Sequence, residues 1–337
     1  MNIDPKQSFP TVSIIIPVYN GERSIGACLE SLLAQRYPQD AFEIIVVENG
    51  STDATSDIVA RYPVRLLHSA KRGPAAARNL GAANSQADIL AFTDADCTAD
   101  PHWLAELVTL YRDAAIGGVG GTILAPQDSP QNFVERFSHD FPPLVNFITG
   151  EHEFLPHLYT PNASYRRHLF EQVDGFNEQL LTTEDVDLAW RLQLQTGIRI
   201  EYCADAIIYH HHRSTRQGLA RQYRHYGFGE ILLDTMYRAY PNYPRRLGYQ
   251  LGRLVQQSLA LPRYLVSIVL NQARFRLGLV SPYQAMLPRL WMLVESQNIL
   301  GKLEGLYQTR GMTTAQPALN LNTDRQIIRL FGNQTGG

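Results

Sequence analysis

The 337-residue chain lacks the features that define several protein classes. It has three cysteines with no Cys-x-x-Cys spacing, which argues against a disulfide framework or a zinc site and favours a reducing compartment. No run of about 20 apolar residues occurs, so we expect no transmembrane helix. The polar N-terminus has no signal-peptide hydrophobic region, and no internal repeat is present. The chain is therefore expected to be an ordinary globular protein with one large core, or with a large core plus an appendage.

A small net charge of −2 hides an uneven distribution of charged residues. Residues 1–212 contain 14 Lys/Arg against 27 Asp/Glu, whereas residues 213–310 contain 14 against 4. The pattern predicts an acidic domain followed by a basic helical segment, which could meet phosphates, an anionic membrane or nucleic acid. The Thr-, Asn-, Gln- and Gly-rich tail at 311–337 is expected to be loosely ordered.

Apolar runs alternate with helical patterns through the first hundred residues. In chain order we predict strand 12–17, helix 22–35, strand 42–47, helix 52–61, strand 64–67, helix 74–84 and strand 89–93. Strands that are apolar throughout indicate a parallel sheet covered by helices on both faces. The glycine cluster at 117–121 follows a helix, the wrong flank for a dinucleotide fingerprint, so we predict a turn leading into a strand.

Polar side chains follow three of these strands at the edge where ligands bind in such folds. Asp94 and Asp96 leave strand 89–93 one residue apart, and in extended chain both carboxylates point the same way. Two hard oxygen ligands suit Mg²⁺ or Mn²⁺ that also carries a diphosphate, and turn or capping chemistry is the alternative. Tyr19-Asn20 and Glu48-Asn49-Gly50-Ser51 follow neighbouring strands, so three polar clusters converge on one crevice.

Five short segments occur in order along residues 11–230. They are Ser13–Asn20 (SIIIPVYN), Ile45–Asp53 (IVVENGSTD), Ala77–Gly81 (ARNLG), the Asp94/Asp96 pair and Thr183–Asp187 (TEDVD). Together they resemble glycosyltransferase family 2, the inverting nucleotide-sugar enzymes of the GT-A fold. The resemblance implies an α/β, Rossmann-like, mostly parallel sheet in a catalytic domain at 8–230. A basic helical appendage would follow at 231–310, with the tail at 311–337.

The resemblance also implies a divalent cation, Mn²⁺ or Mg²⁺, held by Asp94 and Asp96. His210, which follows a predicted strand, matches the histidine that completes the metal shell in many relatives, and imidazole is a plausible ligand for Mn²⁺. His211 and His212 are alternatives, because a one-residue slip changes which side chain points inward. A solvated strand end would also explain the three histidines.

For the acceptor side, the resemblance makes Asp185 the general base that deprotonates a hydroxyl, with Glu184 orienting the acceptor. The alternative is a capping-box pattern from Thr182 to Asp185 at the start of a helix. Arg191 is expected to pair with these acids. Trp190 is expected in the core, given its helical spacing.

The nucleotide would contact residues at the ends of the strands. The expected contacts are Pro17, Tyr19, Glu22, Glu48, Asp53, Arg78, Asp94, Ala95 and Asp96. Glu48, where the family usually has Asp, would accept from the base, although Asn49-Gly50-Ser51-Thr52 is also a good turn. Arg78 lies one turn into a helix opened by Gly73-Pro74, a natural diphosphate site, and a surface cation is its alternative.

These assignments predict a metal-dependent inverting glycosyltransferase that acts once per acceptor. The donor would be a nucleotide sugar, with UDP favoured by family habit, and the acceptor a glycan or lipid-linked hydroxyl in cell-envelope assembly. We expect a cytoplasmic location, with residues 231–310 contacting the inner face of the membrane, the catalytic domain or a second subunit. No nucleic-acid module is recognisable.

Two other functions remain as alternatives. A sugar-phosphate nucleotidyltransferase should have a Gly-rich phosphate loop with a basic residue soon after the first strand, and Tyr19-Asn20-Gly21-Glu22 matches this poorly. A non-catalytic nucleotide-sugar-binding scaffold should have lost the acids, and all of them are present.

Overall fold

The computed structural model describes residues 9–310 apart from 127–129, 131, 145, 147–153, 181, 241 and 245–246. The tail predicted to be loosely ordered, 311–337, lies outside the described residues. The chain forms two compact units, which we call the sheet unit and the helical unit. The sheet unit is Met1–Pro126, Leu144–Thr149 and Leu155–His211, and the helical unit is Gln127–Pro143, Gly150–Phe154 and His212–Gly337.

The secondary structure follows the predicted alternation over the first hundred residues. The strands are β1 (Val12–Val18), β2 (Phe42–Glu48), β3 (Arg65–His68), β4 (Ile89–Phe92), β5 (Cys97–Ala99), β6 (Ile116–Leu124), β7 (Ala163–Arg166) and β8 (Arg199–His210). The helices are α1 (Ile25–Leu33), α2 (Thr55–Val59), α3 (Pro74–Ala83), α4 (Trp103–Thr109), α5 (Phe133–Asp140), α6 (Arg167–Gln172), α7 (Glu184–Thr196), α8 (Arg216–Tyr237), α9 (Leu247–Arg276) and α10 (Pro282–Gln308). A short 3-10 turn, Thr160–Asn162, precedes β7.

The strands form one eight-stranded sheet in the order β3-β2-β1-β4-β7-β6-β8-β5. The first four are parallel, as predicted for βαβ connections. β7 runs antiparallel to both of its neighbours, which are β4 and β6. β6 and β8 run parallel to each other, and β5 is antiparallel to β8. The loop between β4 and β5 therefore joins a central strand to an edge strand, and it carries Asp94 and Asp96.

Both faces of the sheet are buried, which explains the uninterrupted apolar strands. Along β1, Ile14 and Ile16 belong to an apolar cluster that includes Leu29 of α1, whereas Ile15 belongs to the cluster on the opposite face, with Ala77 of α3. Successive side chains of a strand point to opposite faces, so helices must cover both. The predicted α/β sheet with helices on both faces is confirmed.

The glycine cluster was predicted wrongly as a turn, because residues 117–121 lie inside β6. Close neighbours explain why the strand accepts so many glycines. A Cβ at Gly121 would lie 2.0 Å from the carbonyl oxygen of Ala206, and one at Gly117 would lie 2.3 Å from the Ile198 side chain. The cluster allows β6 to pack against its neighbours.

In the helical unit, α8 and α10 cross at close range. A Cβ at Gly301 of α10 would lie 2.0 Å from the carbonyl oxygen of Arg224 in α8. Lys302, fully buried, donates to Gln257 of α9 at 3.0 Å and forms an ion pair with Glu230 of α8 at 2.9 Å. The lysine thereby ties the three long helices together, with its charge compensated as burial requires.

The helical appendage predicted at 231–310 corresponds in part to this unit. Helix α8 runs across position 230, the predicted boundary, and belongs as a whole to the helical unit. The domain limits drawn from the sequence therefore stay a prediction. Within the described residues, none of the helices combines the length and apolar character needed to cross a bilayer.

We expect Gly301→Ala to destabilise the helical unit by about 1–3 kcal/mol, because the added methyl group overpacks the α8–α10 crossing. Gly252→Ala in α9 is the matched control, since a Cβ there meets nothing within 4 Å. Alanine should stabilise that exposed helical position by about 0.5–1 kcal/mol. Urea unfolding of both variants measures the difference, and equal effects would contradict the close crossing.

Candidate active site

The loop from β4 to β5 holds the two aspartates predicted to bind metal. The pairing of Cys97 with His210 brings the end of β8 beside this loop, and the backbone N–H of His211 donates to the carbonyl of Asp96 at 2.9 Å. His210 Nε2 then lies 3.5 Å from Asp96 Oδ1. Of the three histidines, His210 is buried beside Asp96, whereas His211 is exposed.

The donor atoms at this point fit a hard divalent cation. Within the described residues, the ligand atoms of Asp96, Cys97 and His210 all lie within 4.8 Å of one another. Carboxylate oxygen suits Mn²⁺ or Mg²⁺, and an imidazole nitrogen beside it is a plausible ligand for Mn²⁺. Burial raises the pKa of the Cys97 thiol well above its usual value, and the charges of Asp96 and Asp94 raise it further. Because only the thiolate binds metal well, this sulfur is a poor ligand. Asp94 is outside the group, and its metal role stays a prediction.

The side chain of Arg78, a diphosphate ligand or a surface cation by sequence, is buried. One guanidinium nitrogen donates to Asp94 Oδ1 at 2.8 Å and another to Glu184 Oε1 at 2.9 Å. Burial disfavours the positive charge, but Asp94 and then Glu184 outweigh it and raise the pKa of Arg78. The surface alternative is therefore wrong: Arg78 links the β4–β5 loop to the start of α7.

Asp185, the predicted base, follows Glu184 in the first turn of α7. Its Oδ2 accepts a 3.4 Å hydrogen bond from the backbone N–H of Thr160, in the turn before β7. Burial raises the pKa of Asp185 to about 7, and the charge of Glu184 adds to the shift. A carboxylate with this pKa can take up a proton near neutral pH, as general-base chemistry needs.

The start of α7 differs from the capping box that the sequence suggested. The N-cap residue is Thr183, whose side chain makes no capping hydrogen bond. Its φ of 62° lies in the left-handed region, which β-branched residues rarely adopt. Such strain is typical of sites where surrounding contacts dictate the backbone. The sequence contains no signal of this conformation.

The other residues singled out on α7 have structural contacts. Arg191 was expected to pair with the acids at the start of α7, and it pairs with one of them, Asp187, at 2.8 Å. It also donates to the carbonyl of Gly175 at 2.7 Å. Trp190 is buried in the core, as predicted, and its Nε1 donates to the carbonyl of Leu155 at 2.9 Å. These contacts fix α7, and with it the position of Asp185.

Glu22 and Asp53, predicted nucleotide contacts, connect the turns after β1 and β2. Asp53 Oδ2 accepts from the backbone N–H of Glu22 at 3.1 Å, and Glu22 Oε2 accepts from that of Ala54 at 3.2 Å. Asp53 Oδ1 accepts from Thr55, whose hydrogen bond is the main cause of the lowered pKa of Asp53. The turn chemistry that is the alternative for Asp53 is present, and Glu22 joins the same hydrogen-bonded turns. Contact with a nucleotide stays a prediction.

Glu48 lies buried at the end of β2. Burial alone would raise its pKa, but hydrogen bonds from Ser51 and His68 hold the pKa below its usual value. The backbone N–H of Ser51 donates to one carboxylate oxygen, and His68 Nδ1 lies 3.3 Å from the other. Glu48 is therefore an ionised acceptor that already shapes its turn, and its contact with a base stays a prediction.

Three smaller predicted contacts line the same strand ends. Tyr19 is 57% exposed, whereas Pro17 and Ala95 are half-buried. A Cβ at Gly21 would lie 3.7 Å from that of Ala95, so the turn after β1 abuts the β4–β5 loop. Asn49, expected from the sequence only as part of the polar turn after β2, accepts from the Gly73 N–H at 2.8 Å and so fixes the start of α3.

Comparisons with known proteins identify the family of this chain. The sequence profile of the family described as Glycosyl transferase family 2 matches residues 13–174. Glycosyltransferase AglE of Haloferax volcanii is 30% identical over 231 residues, covering 66% of this chain and 74% of AglE. The chain belongs to glycosyltransferase family 2. This glycosyltransferase is also 32% identical over 221 residues to the pre-mycofactocin glycosyltransferase of Mycobacterium tuberculosis, covering 63% of the chain but 45% of that protein.

A solved structure supports the fold independently. Mannosyltransferase PcManGT from Pyrobaculum calidifontis aligns with a TM-score of 0.60 and 22% identity, covering 90% of this chain and 89% of that one. The likeness confirms the predicted GT-A fold of this glycosyltransferase.

We expect Arg78→Met to lower the free energy of unfolding by about 3–5 kcal/mol, because it leaves two carboxylates without their buried partner. Arg199→Met is the matched control. Arg199 also pairs with two acids, Asp113 at 2.6 Å and Glu201 at 3.5 Å, but its side chain is 57% exposed. A surface pair contributes only about 0–1 kcal/mol. Equal losses in urea unfolding would contradict the buried bridge.

Proposed function

We propose that this glycosyltransferase is a metal-dependent, inverting enzyme that moves a sugar from a nucleotide-sugar donor to a hydroxyl acceptor. The observation that carries the proposal is the buried Arg78 bridge between Asp94 and Glu184. It joins the acids suited to a metal and diphosphate with the helix start that bears Asp185. The proposed donor site and the proposed base would therefore be held next to each other, as displacement chemistry requires.

Asp96 and His210, with Asp94 beside them, are the residues that would hold Mn²⁺ or Mg²⁺. The cation supplies charge neutralisation for the diphosphate leaving group. Arg78 keeps Asp94 oriented, because its guanidinium fixes one oxygen of that carboxylate. Glu48 and the connected turns after β1 and β2 would enclose the nucleoside.

Asp185 is the proposed general base. Its carboxylate would accept the proton of the acceptor hydroxyl as that oxygen attacks the anomeric carbon. Glu184, whose position is set by Arg78, would orient the acceptor. Inversion follows if attack comes from the face opposite the leaving diphosphate, and a single base is sufficient for it.

The donor and acceptor are proposed at the level of chemical class. UDP-sugars are the first choice by family habit, while PcManGT was solved with GDP-mannose and Mn²⁺. The acceptor would be a glycan or a lipid-linked hydroxyl in cell-envelope assembly. Thermal shifts with UDP, GDP and dTDP, each with and without Mn²⁺, would identify the base, because a ligand that binds only the folded state stabilises it.

Asp185→Asn is expected to lower metal-dependent donor hydrolysis about 10²–10⁴-fold, because the amide cannot accept the proton. Nucleoside diphosphate affinity, measured by calorimetry, should change little. Asp40→Asn is the control and should keep full activity. Asp40 is exposed and precedes β2, at the end of that strand opposite to Glu48. Near wild-type turnover in Asp185→Asn would mean that this residue is not the base.

The raised pKa of Asp185 predicts opposite trends for activity and stability. Turnover should increase with pH up to about 7, where the base becomes ionised. An unfolded aspartate has a pKa of about 4, so ionisation in the folded chain costs free energy as pH rises from about 4 to 7. Asp185→Asn should therefore raise Tm more at pH 8 than at pH 5. A difference that does not depend on pH would contradict the shift.

Asp96→Asn should weaken Mn²⁺-dependent binding of a nucleoside diphosphate by roughly tenfold or more, because one metal ligand loses its charge. Binding without metal should be unaffected. Asp100→Asn is the control, since Asp100 lies in the same segment but accepts from the backbone N–H of His102. Unchanged affinity of the Asp96 variant with Mn²⁺ present would argue against a metal at this residue.

A further inference from the structure

Helix α9 carries a long apolar stripe that no other described residue covers. Its large side chains are between 45% and 70% exposed, and they are Leu251, Val255, Leu259, Leu265, Val266, Val269 and Leu270. Monomeric soluble proteins rarely expose contiguous apolar surface of this extent without a binding role. The stripe therefore requires a partner.

The stripe occupies one side of the helix. At 100° per residue, Leu251, Val255, Leu259, Val266 and Leu270 fall within roughly 100° of one another. The opposite side packs on α10, where Gln257 Nε2 donates to Glu295 at 2.9 Å and to Asn298 at 3.0 Å. Packing inside the unit therefore leaves the stripe facing outward.

The charges on α9 are of one sign. Residues 247–276 include four arginines and no aspartate or glutamate, and the arginines are Arg253, Arg263, Arg274 and Arg276. All four are exposed, and none forms an ion pair with another described residue. An apolar stripe flanked by cations matches the interface of an anionic lipid bilayer, where apolar side chains enter the acyl boundary and arginines meet headgroups. A second copy of α9 would instead bring arginines together.

We propose that α9 lies in the interface of an anionic membrane, with the stripe of Leu251, Val255, Leu259, Val266 and Leu270 inserted and its arginines on lipid phosphates. Pro262, which is exposed, leaves the helix within one continuous span. This inference rests on the proposed function only for the reason why the enzyme would bind a membrane, which is that a lipid-linked acceptor is presented there. Lipid binding itself needs no sugar transfer.

Co-sedimentation of the full chain with phosphatidylcholine vesicles, with and without phosphatidylglycerol, tests the proposal. Binding is expected only with the anionic lipid, and it should weaken steeply at high salt. The triple variant Val255→Gln/Leu259→Gln/Val266→Gln should abolish binding while leaving Tm unchanged, because all three side chains are exposed. Arg263→Gln and Arg274→Gln should each weaken binding about fivefold.

Leu303→Gln is the matched control, because Leu303 is a 47% exposed leucine on α10, and it should bind like the wild type. Failure of the wild type to sediment at low salt would overturn the proposal, as would wild-type binding by the triple variant. A wild-type dimer that becomes monomeric in the triple variant, by analytical ultracentrifugation, would assign the stripe to self-association and overturn it too. Loss of donor hydrolysis with intact vesicle binding would count against the proposed function alone.

Discussion

A buried arginine between two carboxylates is the interaction on which the rest of the site depends. Arg78 is supplied by α3, Asp94 by the loop after β4, and Glu184 by the first turn of α7. Asp94 follows Arg78 by 16 positions, whereas Glu184 lies 106 positions away. The apolar contacts around the sheet do not by themselves determine where these charged atoms lie. A buried guanidinium is strongly destabilising without its carboxylate partners. The two ion pairs therefore fix the positions of the three elements relative to one another.

The same bridge lies between two groups of acids with different proposed roles, one for the diphosphate and one for the acceptor. In the proposed function, the diphosphate side would need acids held in place, and Arg78 pairs with Asp94 there at 2.8 Å. The proposed acceptor side would need a carboxylate that takes a proton near neutral pH. Asp185 meets that need because burial and Glu184 raise its pKa, while Arg78 acts in the opposite direction. Thr183, with its strained backbone, immediately precedes Glu184 and Asp185 at the helix start.

Much of the fold was predictable, because both faces of the sheet are buried and each strand therefore appears as an apolar run. β1 to β4 and α3 were located to within one or two residues, and the Asp94/Asp96 pair was placed correctly at a strand end. The glycines of β6 were mistaken for a turn, since only three-dimensional neighbours such as Ala206 explain them. Periodicity alone does not indicate such crowding.

The site was less predictable than the fold. The ion pair of Arg78 with Glu184 joins residues 106 positions apart, and no local pattern encodes it. The proximity of Cys97 to His210 depends on the pairing of β5 with β8. No sequence pattern predicts that pairing. The outward stripe of α9 likewise needed to be seen beside α10 before its exposure could be recognised. Long-range pairing was the missing information in each instance.

The central claim is that one site, organised by Arg78, holds both the metal-assisted donor and the base. An anomalous difference map at the manganese edge, from crystals grown with Mn²⁺ and UDP, tests it most directly. The account predicts a peak in contact with the carboxylate of Asp96 and with His210 Nε2, next to the diphosphate, with the Arg78 ion pairs intact. A manganese peak elsewhere, or a diphosphate bound away from the β4–β5 loop, would contradict it.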